Sequence, residues 1–258
     1  MDDRYSRVAR LIFGICLVAM GILGVISGDF AMQWQPVPAW VFARTALAYV
    51  CAGLEIVLGL GLLVPRTAAV ASRVLVVYVA LWWLLLKVPV VVAAPNVEVS
   101  WLGLGEISVI LAGAWMLYLL FGRPGGPDTV NLRRAAMLFG LALIPVGLSH
   151  IFYLPQTAAF VPAWLPFRSG WAFCTGAAQV AAGLGVLFWV LPSVAATLEA
   201  VALSIFTILV WVPGLFAAHA GRLQWTAVIM SATITAGAWA AAAGVAFRYR
   251  AQRPAVVD

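Results

Sequence analysis

Three ionisable side chains lie inside otherwise apolar stretches of the first half of this 258-residue chain: Glu55, Lys87 and Glu106. A carboxyl group shut away from water can carry a proton or accept a hydrogen bond from a ligand hydroxyl, and a lysine beside a second carboxyl can share its desolvation cost. Glu55 is the most informative of the three. It follows Arg44 by eleven residues, which is about 16 Å along a helix and near the middle of a bilayer. A charged carboxylate at that depth costs on the order of 3 kcal/mol on insertion scales. Its helical face runs Thr45, Ala48, Ala52, Glu55, Gly59, all small apart from the acid. Small faces let helix backbones approach, so Glu55 is expected to point into protein. Two roles stay open for it: binding or proton handling, and a structural hydrogen bond between helices. Lys87 and Glu106 are placed to pair, unless Lys87 snorkels to water and Glu106 reaches the interface by itself.

A second half of the chain stands behind these residues. Val37-Pro-Ala-Trp40 returns as Val161-Pro-Ala-Trp164, 124 residues later. At the same offset Arg44 meets Arg168, Gly59-Leu-Gly61 meets Gly183-Leu-Gly185, Val88-Pro89 meets Val212-Pro213, and Gly113-Ala-Trp115 meets Gly237-Ala-Trp239. Proline and tryptophan matches held at one offset read as a tandem duplication. The offset places Gln179, Trp211 and Met230 where the first half has Glu55, Lys87 and Glu106. Every ionisable core group is then expected in the first copy, the second serving as scaffold. Glu199, opposite Leu75, is expected at the interface.

The elements that position these residues follow from composition. Hydrophobic residues make up 65% of the chain and charged residues 9%, and mean hydropathy is +1.06. That is too little polar material to coat a water-soluble domain. The expected fold is an all-α polytopic membrane protein: eight transmembrane helices forming two parallel-duplicated four-helix bundles. Apolar runs lie near Val8–Gly28, Ala43–Val64, Ala68–Ala94 and Val99–Gly122, then Arg134–Tyr153, Arg168–Leu191, Ser193–Ala218 and Trp225–Phe247. The units are 1–122 and 133–247, joined by a cytoplasmic linker at 123–132 and followed by a frayed basic tail at 248–258. The N-terminal run has signal-peptide character, but its counterpart from Ala135 is in mid-chain, so it reads as a retained span. With the N-terminus placed in the cytoplasm, that side carries eleven Arg residues and the other only Arg44, Arg168, Arg222 and Lys87. Both termini are therefore expected to be cytoplasmic in a cell membrane, the bacterial inner membrane by preference. The net charge of +6 forms no basic stripe, so nucleic acid is not an expected partner.

The first loop of each unit carries Trp34 and Trp40, or Phe160 and Trp164, among prolines. Irregular backbone lying at headgroup level is expected, with a lid over a cavity as the alternative. Pro89 and Pro213 interrupt the third and seventh helices at equivalent depth. Each frees a carbonyl four residues earlier, for a packing kink or a ligand. Arg44, Arg168, His150, Tyr153, Trp40, Trp164 and Gln179 join Glu55, Lys87 and Glu106 as ligand-binding or proton-handling candidates. Haem is not expected, because His150 and His219 alone are too few ligands to argue it. Cys16, Cys51 and Cys174 form no C-x-x-C pair and read as buried apolar side chains, with a Cys16–Cys51 redox pair as the alternative. No catalytic or metal-binding motif stands in a fitting context.

Gly53-Leu-Glu55-Ile-Val-Leu-Gly59-Leu-Gly-Leu-Leu-Val-Pro-Arg66 resembles the acid-bearing second helix and basic turn of DoxX-like membrane proteins. Ser149-His150-Ile-Phe-Tyr153, Phe160-Val-Pro-Ala-Trp-Leu-Pro166 and Thr175-Gly176 are similar to the same family. The resemblance covers nearly the whole chain outside linker and tail, and Gln179 departs from the family acid. It implies an accessory membrane subunit, in some members quinone-linked and partnered with an oxidoreductase, so quinone is the cofactor it brings. Two alternatives stand beside it: a transporter or receptor for a small apolar molecule, and a non-catalytic assembly partner of a membrane complex.

Overall fold

The computed structural model describes residues 3–31, 33–123, 125–216 and 220–252. Eight helices are long and apolar enough to cross a membrane: α1 (Arg4–Ser27), α2 (Arg44–Leu63), α3 (Ala68–Ala93), α4 (Glu98–Gly122), α5 (Thr129–Phe152), α6 (Arg168–Leu187), α7 (Pro192–Phe216) and α8 (Arg222–Ala251). The described residues contain no strand. The chain is an all-α, multi-pass membrane protein.

Packing follows the offset of 124. The most extensive contacts are α1 along α2 and α5 along α6, and glycine is the reason. A Cβ at Gly59 would come within 2.6 Å of the Gly14 carbonyl oxygen, and one at the equivalent Gly183 within 2.6 Å of the Gly140 carbonyl oxygen. The two units share a seam in which α1 packs along α8 and α5 along α4. At its centre α4 crosses α8 where the offset pairs two glycines: a Cβ on Gly113 would lie 2.3 Å from Gly237 Cα. The backbone repeats as well. Ala43 and Phe167, each just before a second helix, are left-handed, with φ of 52° and 55°.

The side that bears the termini is closed by arginines. Arg10 donates to the Leu62 carbonyl, and Arg133 donates to the carbonyls of Val186 and Leu187. Leu62 and Val186 are equivalent residues, so each second helix has its last carbonyls capped by a cation from the first. Arg133 and Arg248 also lie over the Trp189 ring, at 4.6 and 5.2 Å from its centroid.

Several expectations change. α8 continues to Ala251, so the first residues of the supposed frayed tail are helical; Arg248 donates to the Thr129 carbonyl, which holds that end against α5. α5 begins at Thr129, inside the expected linker, because Asp128 caps it by accepting from the Val130 and Asn131 amides at 2.9 and 3.3 Å. Asp128→Ala is expected to lower stability by about 1 kcal/mol, read as a lower thermal midpoint in mild detergent. The loop after α5 is not wholly irregular: Leu154–Phe160 forms a short helix, since Pro155 falls in its first turn, where proline costs nothing. Pro89 and Pro213 do interrupt the α-helical pattern, as expected, without ending either span. A π-turn at Trp83–Lys87 precedes Pro89, and a second at Thr207–Trp211 precedes Pro213. Each π-turn widens the backbone ladder just before a proline, which has no N–H to donate to it.

Candidate functional site

Glu55 projects from α2 into protein and is 2% exposed. Its Oε1 accepts three hydrogen bonds: from Trp34 Nε1 at 2.6 Å, Gln35 Nε2 at 2.9 Å and the Tyr78 hydroxyl at 2.9 Å. Gln35 Nε2 also donates to the Tyr78 hydroxyl at 2.6 Å. Tyr78 comes from α3, whereas Trp34 and Gln35 belong to the loop between α1 and α2. That loop therefore does not lie wholly at headgroup level. Phe30, Trp34, Gln35 and Val37 are buried, and only its second half, with Trp40 and Phe42, is exposed. The aromatic that the sequence assigned to the interface instead donates to the acid, because a buried carboxylate needs donors and the loop supplies the nearest ones.

The same loop is tied at its edges. Asp29 pairs with Arg44, the Arg44 guanidinium lies over the Phe30 ring, and Arg222, at the start of α8, donates to the Asp29 carbonyl. Lys87 Nζ donates weakly to the Gln33 carbonyl at 3.5 Å. Among the described residues Lys87 and Glu106 form no ion pair within 4 Å; lysine turns to the loop carbonyl instead. The space beside Glu55, bounded by Asp29, Phe30, Trp34 and Ala52, is about 10 Å³, room for one water at most.

The second unit is not free of buried ionisable groups. Glu199 is 3% exposed and accepts from Gln179 Nε2 at 2.9 Å, which corrects its expected interfacial place and the expectation of a neutral second copy. Glu199 stands one turn before Ala202, the residue equivalent to Tyr78. Each unit thus has one carboxyl between its second and third helices, carried by the second helix in one and by the third in the other. The second loop has Ala158 and Ala159 where the first has Trp34 and Gln35, so no donors reach inward from it at those positions.

The remaining candidates scatter. His150 Nδ1 is 3.2 Å from the Thr175 hydroxyl, and its ring packs on Phe206. His219 lies outside the described residues, and with it the pairing of two histidines. Trp40, Trp164 and Arg168 are exposed, so they line no internal site with Glu55. All three cysteines are free, Cys16 buried, Cys51 half-buried and Cys174 exposed; the last is not the buried side chain expected. Among the described residues no three of His, Cys, Asp and Glu gather where a metal could sit.

Tyr153 leads to a different place. Its hydroxyl accepts from the Val99 amide at 3.2 Å, at the start of α4. Beside it a groove of about 650 Å³ runs along the seam between the units, with α4 as floor and α3 and α5 as walls. Glu98, Trp101, Gly105 and Ser108 form one stripe of α4, at helical steps of three and four. Leu138, Leu141, Ile144 and Leu148 line the α5 side. Trp83, the first residue of the π-turn in α3, donates from Nε1 to the Ser108 hydroxyl at 2.7 Å, and Ser108 donates onward to the Leu104 carbonyl. Both carboxylate oxygens of Glu98 are shut from solvent and have no hydrogen-bond partner among the described residues.

No family model, curated protein or solved structure matches this chain.

Sequence reasoning missed Trp34, Gln35 and Tyr78 as partners of Glu55, and Glu98 altogether. A signal existed for Glu98. At the offset of 124 it faces Arg222, a reversal of charge at the first residue of each unit's fourth helix.

Proposed function

We propose that the protein is an accessory membrane subunit of DoxX type that holds a small lipophilic molecule in the groove between α4 and α5. One observation carries the reading: a volume of about 650 Å³ walled by hydrocarbon side chains, within the roughly 300–1,000 Å³ typical of small-molecule sites. Leu141, Trp101 and Phe152 are exposed at its mouth, where a bilayer would supply the ligand sideways. Glu55 keeps its three bonds to the loop and lies apart from this groove. The uneven spread of arginines supports cytoplasmic termini, which would turn the Glu98 end of the groove to the outer leaflet.

The test is purification in mild detergent followed by mass spectrometry of what stays bound. Leu141→Trp, which fills the groove from its exposed wall, is expected to cut retained small molecule at least tenfold with the thermal midpoint unchanged. Equal retention by both proteins would overturn the reading.

A further inference from the structure

We infer that the groove between α4 and α5 selects a lipophilic molecule carrying a single positive charge on a hydrogen-bond donor, an alkyl ammonium, through Glu98. This rests on the groove being a ligand site and names the chemistry it takes. The side chain of Glu98 lines the groove, yet both of its oxygens lack a donor. A carboxyl whose oxygens are turned from solvent needs donors or a cation to stay ionised, and leaving the ion unpaired is costly. The walls supply no cation, and their one uncommitted side-chain donor, the Asn96 amide, makes no hydrogen bond to Glu98. The indole N–H of Trp83 is committed to Ser108 at 2.7 Å and that of Trp101 to the Pro95 carbonyl at 2.9 Å. The Ser108 hydroxyl is committed to Leu104. No lysine or arginine lines the groove. Lys87 reaches the Gln33 carbonyl, and Arg222 reaches Asp29.

That inventory separates ligand classes. A quinone presents only acceptor oxygens, so it cannot satisfy the ionised carboxylate. A fatty acid adds a second anion. An aminophospholipid brings an ammonium, but its phosphate would meet no cation in the groove. A long-chain alcohol offers one donor without charge. An alkyl ammonium offers charge and several donors, and the rings of Trp83 and Trp101 favour a cation beside them. Its chain then lies along Leu138, Leu141 and Leu148.

The experiment uses the full chain in phosphatidylcholine nanodiscs, with dodecylamine, dodecanol and dodecanoate as probes and native mass spectrometry or calorimetry as readout. Dodecylamine is expected to bind at least tenfold more tightly than dodecanol, about 1.4 kcal/mol, and dodecanoate more weakly still. Glu98→Gln, similar in size, is expected to erase the preference by bringing dodecylamine binding down to the level of dodecanol. Leu141→Trp is expected to weaken both. Equal binding of amine and alcohol in the wild type, with both lost in Leu141→Trp, would overturn the charge selection and leave the groove standing. If Leu141→Trp changed neither, the groove itself would fall. Displacement of dodecylamine by phosphatidylethanolamine at equal concentration would also overturn the inference, since the site would then tolerate a phosphate.

Discussion

Gly113→Ala is expected to cost at least 3 kcal/mol of stability, and Gly113→Val to abolish folded protein in the membrane. The added Cβ would lie 2.3 Å from Gly237 Cα and 2.7 Å from its carbonyl oxygen. Both are backbone atoms, so no side-chain rotation relieves the contact. α4 and α8 would have to separate, and they meet among the most deeply buried residues of the protein: Ile110, Ala114, Ala238 and Ala241 are 0% exposed. Overpacking alone costs about 1–3 kcal/mol, and separation also forfeits the close contacts that hold membrane helices together where lipid offers no hydrophobic drive. The reciprocal substitution is predicted to be milder. A Cβ at Gly237 meets the Val109 carbonyl oxygen at 3.0 Å and nothing nearer. Thermal midpoints in dodecylmaltoside should rank wild type above Gly237→Ala above Gly113→Ala. Equal midpoints for the two variants would contradict the crossing geometry.

Glu55→Ala is the second large effect. It removes the acceptor shared by Trp34, Gln35 and Tyr78. Gln35 keeps its bond to Tyr78, so two buried donors, the Trp34 indole N–H and the Tyr78 hydroxyl, lose their acceptor. At about 1–3 kcal/mol for each unsatisfied group, the loss is about 3–5 kcal/mol once the cavity is included. Glu55→Gln keeps an acceptor oxygen and nearly the same volume but loses the charge that strengthens each bond, so about 1–2 kcal/mol is expected. The loop should register the change before the bundle does. Limited proteolysis between Phe30 and Phe42 is expected to speed up in Glu55→Ala, less in Glu55→Gln, and not in Asp128→Ala, whose cap lies on the opposite side. Unchanged cleavage in Glu55→Ala would mean that the acid does not hold the loop.

The eight spans were readable because length and hydropathy alone decide them, and the inward face of α2 because its small residues leave one side for close packing. The partners of Glu55 were not readable. Trp34 and Gln35 belong to a proline-rich, aromatic loop, and composition cannot say that half of such a loop turns inward while Trp40 stays out. Glu199 was misplaced for a related reason. Its place in the chain does not reveal what faces it, and Gln179 on the neighbouring helix supplies the donor that makes burial tolerable. Lys87 and Glu106 looked like a pair on distance along helices, but the backbone carbonyl of Gln33 is a nearer acceptor for the lysine. Glu98 does not stand out in the hydropathy pattern because it begins its helix rather than interrupting one.

The seam between the units bears on how the chain is made. α1 emerges well before α8, on which it packs, with Ser27 and Arg222 nearly two hundred residues apart. At ordinary synthesis rates of about 5–20 residues per second, that gap is roughly 10–40 s. During that interval α1 can settle on α2, but the side that will receive α8 stays open to lipid or to a chaperone. The bundle is therefore closed only when α8 reaches α1, well after the first helices have entered the membrane.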